Sequence, residues 1–310
     1  MATKFSGGTY VNTTFVGGTK TNICNNMETQ LVNAGWTVIS GTGTTNVLLQ
    51  SAADPTTGNQ GRVRFKDNGG SCVQVTIENV SGTKVLTSST TSGAHLLPAT
   101  SKTFRVLASK YRFEVFTPGV SAAREFVCAG ILWIPTPYQG VITEAIYLQG
   151  NGLSDSDTAI RFSFRTSLSP AVGVSGNLGA VSCGICNNNM QVNGNSGQSY
   201  MSDVQLRVPT CASLGSYTQG TAPGHANLYR WHDGALDMAD ALMGWGNSAV
   251  SDEAFIRGQV YDWTIVGDNL PVDVTGTWSD GGSSHDWWAL TGGNTGNSSL
   301  VRGTILVATS

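Results

Sequence analysis

Lys110-Tyr-Arg-Phe-Glu-Val-Phe-Thr-Pro-Gly119 is the stretch on which the reading of the fold turns. Tyr111, Phe113 and Val115 alternate with Arg112 and Glu114, and a period of two is that of a β-strand rather than a helix. The alternation predicts an inward apolar face and puts Arg112 and Glu114 on a face in solvent.

The same grammar extends to both sides. Upstream, 37–40, 46–51, 62–66, 72–78 and 102–107 are short and β-branched, and turn residues such as Asp54-Pro-Thr-Thr-Gly58 and Asp67-Asn-Gly-Gly70 separate them. Downstream, 125–133, 143–148, 159–165, 204–208, 259–266 and 302–308 continue it. Two short helices interrupt the pattern. Ile23, Met27, Leu31 and Ala34 share one helical face, with Asn22 or Asn25 as N-cap, Glu28 in the first turn and Gly35 at the C′ position. A second helix is predicted from Asp233 as cap through Leu236, Ala239, Leu242 and Met243, with Gly244 and Gly246 ending it. The expected class is therefore mainly β with minor α, built of antiparallel, sandwich-like sheets.

Pro135-Thr-Pro-Tyr-Gln-Gly140 is the candidate boundary, because prolines two apart cannot continue a central strand. It divides the chain into β-rich domains at 22–139 and 140–310. Before them, Phe5-Ser-Gly-Gly-Thr-Tyr-Val-Asn12 is echoed by Phe15-Val-Gly-Gly-Thr-Lys-Thr-Asn22. Residues 1–21 read either as an extended arm that packs on a neighbouring subunit through Phe5, Tyr10 and Phe15, or as the first β-hairpin of the domain itself.

Composition limits the function. Lys and Arg total 17, scattered thinly, and the net charge is −3, so the clustered cations that nucleic acid requires are missing. The longest apolar run, Cys128 to Ile134, is far shorter than the ~20 residues that span a bilayer. Thirty-nine glycines and only 12% charged residues suit a surface protein, yet Met1 to Gly8 lacks an apolar export segment. Synthesis in a cytoplasm followed by carriage in a particle released by lysis meets both observations.

Catalytic constellations are sparse. Cys183-Gly-Ile-Cys186 has metal-ligand spacing but no second pair, and Cys211 and His225 carry no signature that completes a site. Most of the six cysteines read as buried thiols, with some pairing after release still open. In His232-Asp233 and His285-Asp286, neighbours on a strand point to opposite faces. Asp237 and Asp240 read as the solvated side of the second helix, and Asp155-Ser-Asp157 fails as a calcium loop at Ala159 and Ile160. No nucleophile elbow, phosphate-cradling loop or zinc-protease helix is present. The expectation is a non-enzymatic protein with no catalytic residues, no cofactor and no metal.

Aromatic residues remain. Six tryptophans fall between Trp231 and Trp288, and such rings serve as core fillers, sugar platforms or interface anchors. Trp231, Trp287 and Trp288 are the candidates. The adjacent indoles of Trp287 and Trp288 must face opposite ways on a strand, so one is expected to cover a partner surface.

Leu31-Val-Asn-Ala-Gly-Trp36, Lys110 to Gly119 and Arg124-Glu-Phe-Val-Cys-Ala-Gly130 resemble segments of uncharacterised virion proteins of tailed bacteriophages. Asp286-Trp-Trp-Ala-Leu-Thr291 and Arg302-Gly-Thr-Ile-Leu-Val-Ala308 are similar to the same group, so the likeness touches both halves in patches. It implies a particle component localised in the virion, in contact with other virion proteins and as a homo-oligomer. Tail, baseplate or neck is favoured over capsid decoration. A host-surface glycan is the alternative partner, and an envelope-degrading enzyme the remotest reading. The resemblance carries no catalytic residue with it.

Overall fold

The computed structural model describes residues 3–83, 85–86, 96–118, 126–134, 136, 139, 143–150, 164–165, 182–186, 191–195, 203–207, 231–233, 236–246, 254–266, 273–279, 283–291 and 304–310; for 164–257 it describes essentially the backbone alone. The described chain is mainly β, in antiparallel sheets, with one helix.

Strand β1 (Val11–Val16) leads into α1 (Lys20–Asn33). Then β2 (Thr37–Ser40), β3 (Asn46–Gln50), β4 (Arg62–Asp67), β5 (Cys72–Glu78) and β6 (Val85–Leu86) lie side by side, with β7 (Leu96–Pro98) also on β5, as a six-stranded sheet. The remaining strands join β1 in a fifteen-stranded sheet. They are β8 (Thr103–Ser109), β9 (Arg112–Phe116), β10 (Phe126–Trp133), β11 (Ile146–Gly150), β12 (Phe164–Arg165), β13 (Ser182–Cys186) and β14 (Gln191–Asn195). After these come β15 (Asp203–Arg207), β16 (Trp231–Asp233), β17 (Leu236–Gly246), β18 (Ala254–Val266), β19 (Thr275–Ser279), β20 (Ser284–Thr291) and β21 (Thr304–Ala308). Its main path runs β1-β8-β9-β10-β18-β17-β15-β12.

The helix is capped by Thr19, ahead of both expected caps, Asn22 and Asn25. Thr19 is extended and its hydroxyl accepts from the Asn22 N–H, while the Asn22 amide turns back to the Val16 carbonyl. Glu28 consequently lies in mid-helix and accepts from the Gly43 N–H. The far end is as the sequence implies. Gly35 takes a φ of 103°, its N–H reaches Val32 O, and the Trp36 N–H reaches Leu31 O. This double bond pattern satisfies the last carbonyls and needs a residue free of left-handed strain. Ile23, Cys24, Met27 and Leu31 are buried, and full burial of Ile23, Met27 and Leu31 contributes roughly 1.5–3 kcal/mol each.

These side chains plug a sandwich. Val47, Leu49, Val63, Phe65, Val73, Val75 and Ile77 line it from the six-stranded sheet. Phe104, Val106, Phe113, Val115, Val127 and Leu148 line it from the other. The alternation in β9 thus delivers Phe113 and Val115 to the core as expected.

The other face of β9 is not in solvent. Arg112 and Glu114 have no exposed area at all. The reason is the continuation of the sheet: the end of β10 pairs with β18, Leu132 opposite Val260, and β18 passes on to β21 through Trp263 opposite Val307. This part of the sheet curls back over the outer face of β8 and β9, where Phe116 meets Trp288 and Tyr147 meets Trp263. Gly130, opposite Arg112 in the β9–β10 pair, permits the close approach, since a Cβ there would lie 2.5 Å from Arg112 Cβ.

Three further expectations meet the structure. The segment placed in a second helix is β17, which pairs with β15, β16 and β18; non-local pairing overrides an apolar spacing that suits either element. The boundary at 139/140 does not separate sheets, because β10 bonds to β9 before it and to β11 and β18 beyond it. Residues 3–18 do not stand away as an arm. β1 pairs with β8 from Val11 opposite Ala108 to Val16 opposite Thr103, and Phe15 stacks on Phe104 inside the core.

Candidate functional site

The densest polar chemistry lies where β18 changes partner. Asp262 sits between Val260, which faces β10, and Trp263, which faces β21. Its φ is 59°, a left-handed conformation that Asp tolerates better than most residues. Its N–H leaves the ladder and donates to Lys4 O at 2.8 Å. The N-terminal segment therefore enters the sheet at this break.

The Asp262 carboxylate collects donors from three directions. From the N-terminal segment, Ser6 N donates to Oδ1 at 2.6 Å, Ser6 Oγ to Oδ2 at 2.5 Å and Tyr10 OH to Oδ1 at 2.9 Å. From β8, Ser109 Oγ donates to Oδ2 at 2.7 Å, and from β9, Arg112 Nε does so at 3.1 Å. The guanidinium also bonds Glu114 Oε2 and Ala308 O, and Trp263 Nε1 donates to Glu114 Oε1 at 2.6 Å. Burial pushes Glu114 up to about 7, with Arg112 and the Trp263 bond pulling the other way. Burial alone would lower Arg112, but Glu114 and Asp262 raise it overall. Burial followed by the charge of Asp262 holds the Tyr10 phenol well above its ordinary range.

A second tie fastens the 51–61 loop. Asn59, fully buried, donates through Nδ2 to Leu132 O at 2.7 Å and Ala145 O at 2.8 Å, and its Oδ1 accepts from Ala145 N at 2.6 Å. Asp54 caps its own turn through Thr57 N and Thr57 Oγ1 and accepts from Tyr261 OH on β18.

Trp287 and Trp288 pack within the chain. Trp287 is fully buried and Trp288 is 9% exposed. They do face opposite ways, but each face is covered. Phe5, stacked on His285 at 3.7 Å, lies edge-on to Trp287, whereas Arg105 sits 4.3 Å over Trp288. Their indole nitrogens are occupied by Trp278 O and Asp273 Oδ1. Trp287, Ala289, Leu306 and Ala308 form an apolar cluster against which Phe5 and Tyr10 pack. Of Trp231 the structure gives only the place, on β16 opposite Met238.

The other sequence candidates fall as follows. Cys24, Cys72 and Cys128 are buried and in no disulfide. Cys183 and Cys186 lie on a continuous strand between β11 and β14, a backbone unlike the turn of a chelating Cys-x-x-Cys. Asp286 accepts from Thr277 Oγ1, and His285 Nδ1 meets Ser310 O. Asp233, Asp237 and Asp240 are placed by backbone on β16 and β17, and 155–160 lies outside the described residues. Among the described residues no group of His, Cys, Asp and Glu is arranged to hold a metal, and no helix is long and apolar enough to cross a membrane. Sequence reading missed Asp262 altogether; nothing local marks it, since its partners lie at the chain's start and in β8 and β9.

No protein-family model and no curated protein matches the chain.

Proposed function

We propose that this chain is a non-enzymatic structural component of a tailed-phage virion, in tail, baseplate or neck ahead of capsid decoration, acting through protein–protein contacts. The observation that carries the reading is where its reactive-looking groups go. Arg112, Glu114, Asp262, Asp54 and Asn59 bond the layers to one another, and no described cluster of them opens to a substrate. A fold cross-braced in this way suits a part that must hold its shape under load. The patchwise resemblance at 31–36, 110–119, 124–130, 286–291 and 302–308 points the same way. Capsid decoration is kept as the alternative position.

Quantitative mass spectrometry of purified particles tests this. The chain should be present at a fixed copy number per particle across preparations. A chain abundant in lysate yet missing from, or variable in, purified particles overturns the proposal.

A further inference from the structure

We propose that Glu114 carries the single proton of the Arg112–Glu114–Asp262 cluster, and that giving it up unlatches residues Lys4–Tyr10 from Asp262. This goes beyond the virion reading and does not depend on it. One guanidinium faces two carboxylates, and all three side chains are fully buried. Full ionisation would leave one uncompensated negative charge away from water, where isolated charge is strongly disfavoured. The two carboxyl groups are unequally served: Asp262 accepts from Ser6 twice, Tyr10, Ser109 and Arg112. Glu114 has Arg112 and Trp263. The proton therefore resides on Glu114, which burial pushes up to about 7.

The tyrosines around the cluster do not share this window. Tyr10 on the segment, Tyr147 on β11 and Tyr261 on β18 are all raised, chiefly by burial, and Tyr111 beside β9 is pushed up to about 12. Cys128 on β10 faces Tyr147 as a buried thiol, and Asp54 lies behind Tyr261 and Tyr111. When Glu114 ionises, two carboxylates compete for Arg112. The part able to relieve the repulsion is the N-terminal segment, which is short, carries Gly7 and Gly8 at positive φ, and covers Asp262 from outside the sheet. Its departure hydrates Asp262 and uncovers the face formed by Trp287, Leu306 and Ala308.

Hydrogen–deuterium exchange of the full-length chain from about pH 5 to about pH 9 tests this across the range where Glu114 ionises. After correction for the intrinsic pH dependence of exchange, protection of Ser6 to Tyr10 should fall by up to about tenfold per pH unit as pH rises toward about 7 and level off above it, as one-proton linkage requires. Protection of α1 should hold. Glu114→Gln should keep the segment closed throughout, and Ser6→Ala should loosen it at every pH while preserving the slope. Wild-type protection of the segment that is independent of pH overturns the proposal whether or not the variants fold. A folded Glu114→Gln that follows the wild-type profile, or a Ser6→Ala that loses the slope, also overturns it.

Discussion

Arg112 Nε donates to Asp262 Oδ2 at 3.1 Å, joining two strands whose residues are 150 apart in sequence. The bond is the centre of a buried lattice that ties β8, β9, β18, β21 and the N-terminal segment. A lone buried ion pair is weak evidence of stability, because desolvation offsets the attraction. Breaking one is a different matter.

Arg112→Met should therefore be strongly destabilising. It leaves Asp262 without its counter-charge and frees Ala308 O, and loss of one partner of a buried pair costs about 3–5 kcal/mol. Urea unfolding measures this. Adding Glu114→Gln should restore part of the loss only at alkaline pH, where Glu114 would ionise and strand a second carboxylate; no restoration there would mean that the charge count is not what matters.

Stability should also depend on pH through Glu114. Its folded-state value, about 7, lies above its ordinary one, so the folded chain holds this proton more tightly than the unfolded chain. The contribution is fully present below about pH 4.3 and is lost as pH rises through about 7. Subtracting the Tm profile of Glu114→Gln from that of wild type isolates the term. A difference that grows with pH across this window would contradict the assignment.

These residues also show where sequence is legible. The Ile23, Met27, Leu31 spacing and Gly35 gave α1 because both signals are local, and β4 and β5 follow from β-branched runs between turns. Arg112 and Glu114 gave the wrong environment for a physical reason: charge alternating with apolar residues marks a solvent face only if nothing folds over it. What covers them is β18 and β21, and no feature near 112 reports a strand at 254–266. The segment 236–246 failed similarly, since Leu236, Ala239, Leu242 and Met243 fit a helical stripe that pairing with β15 and β18 overrules.

Asn59→Ala should lower stability by about 1–3 kcal/mol for each buried group left without its partner. Leu132 O and Ala145 N bond to that amide, whereas Ala145 O, which it also reaches, keeps the Leu132 N–H at 3.0 Å. Thermal unfolding reads the change. A loss within a few tenths of a kcal/mol would mean that the loop's tie to β10 and β11 is dispensable.

Trp287→Ala should behave as a core truncation, costing about 3–5 kcal/mol, because the ring is fully buried beside Phe5 and Trp278. A folded variant of wild-type stability with impaired binding to host-surface glycan would return this indole to the surface role that its exposure argues against.

The most direct test of the account is to remove residues 2–18 and follow unfolding of the remaining chain. In the structure this segment supplies β1 to β8, Phe15 to the core, and Ser6 and Tyr10 to Asp262. The truncated protein should be insoluble, or soluble without a cooperative transition. A soluble truncated chain with the wild-type Tm, failing only to assemble with its neighbours, would contradict it and make the segment an intermolecular arm.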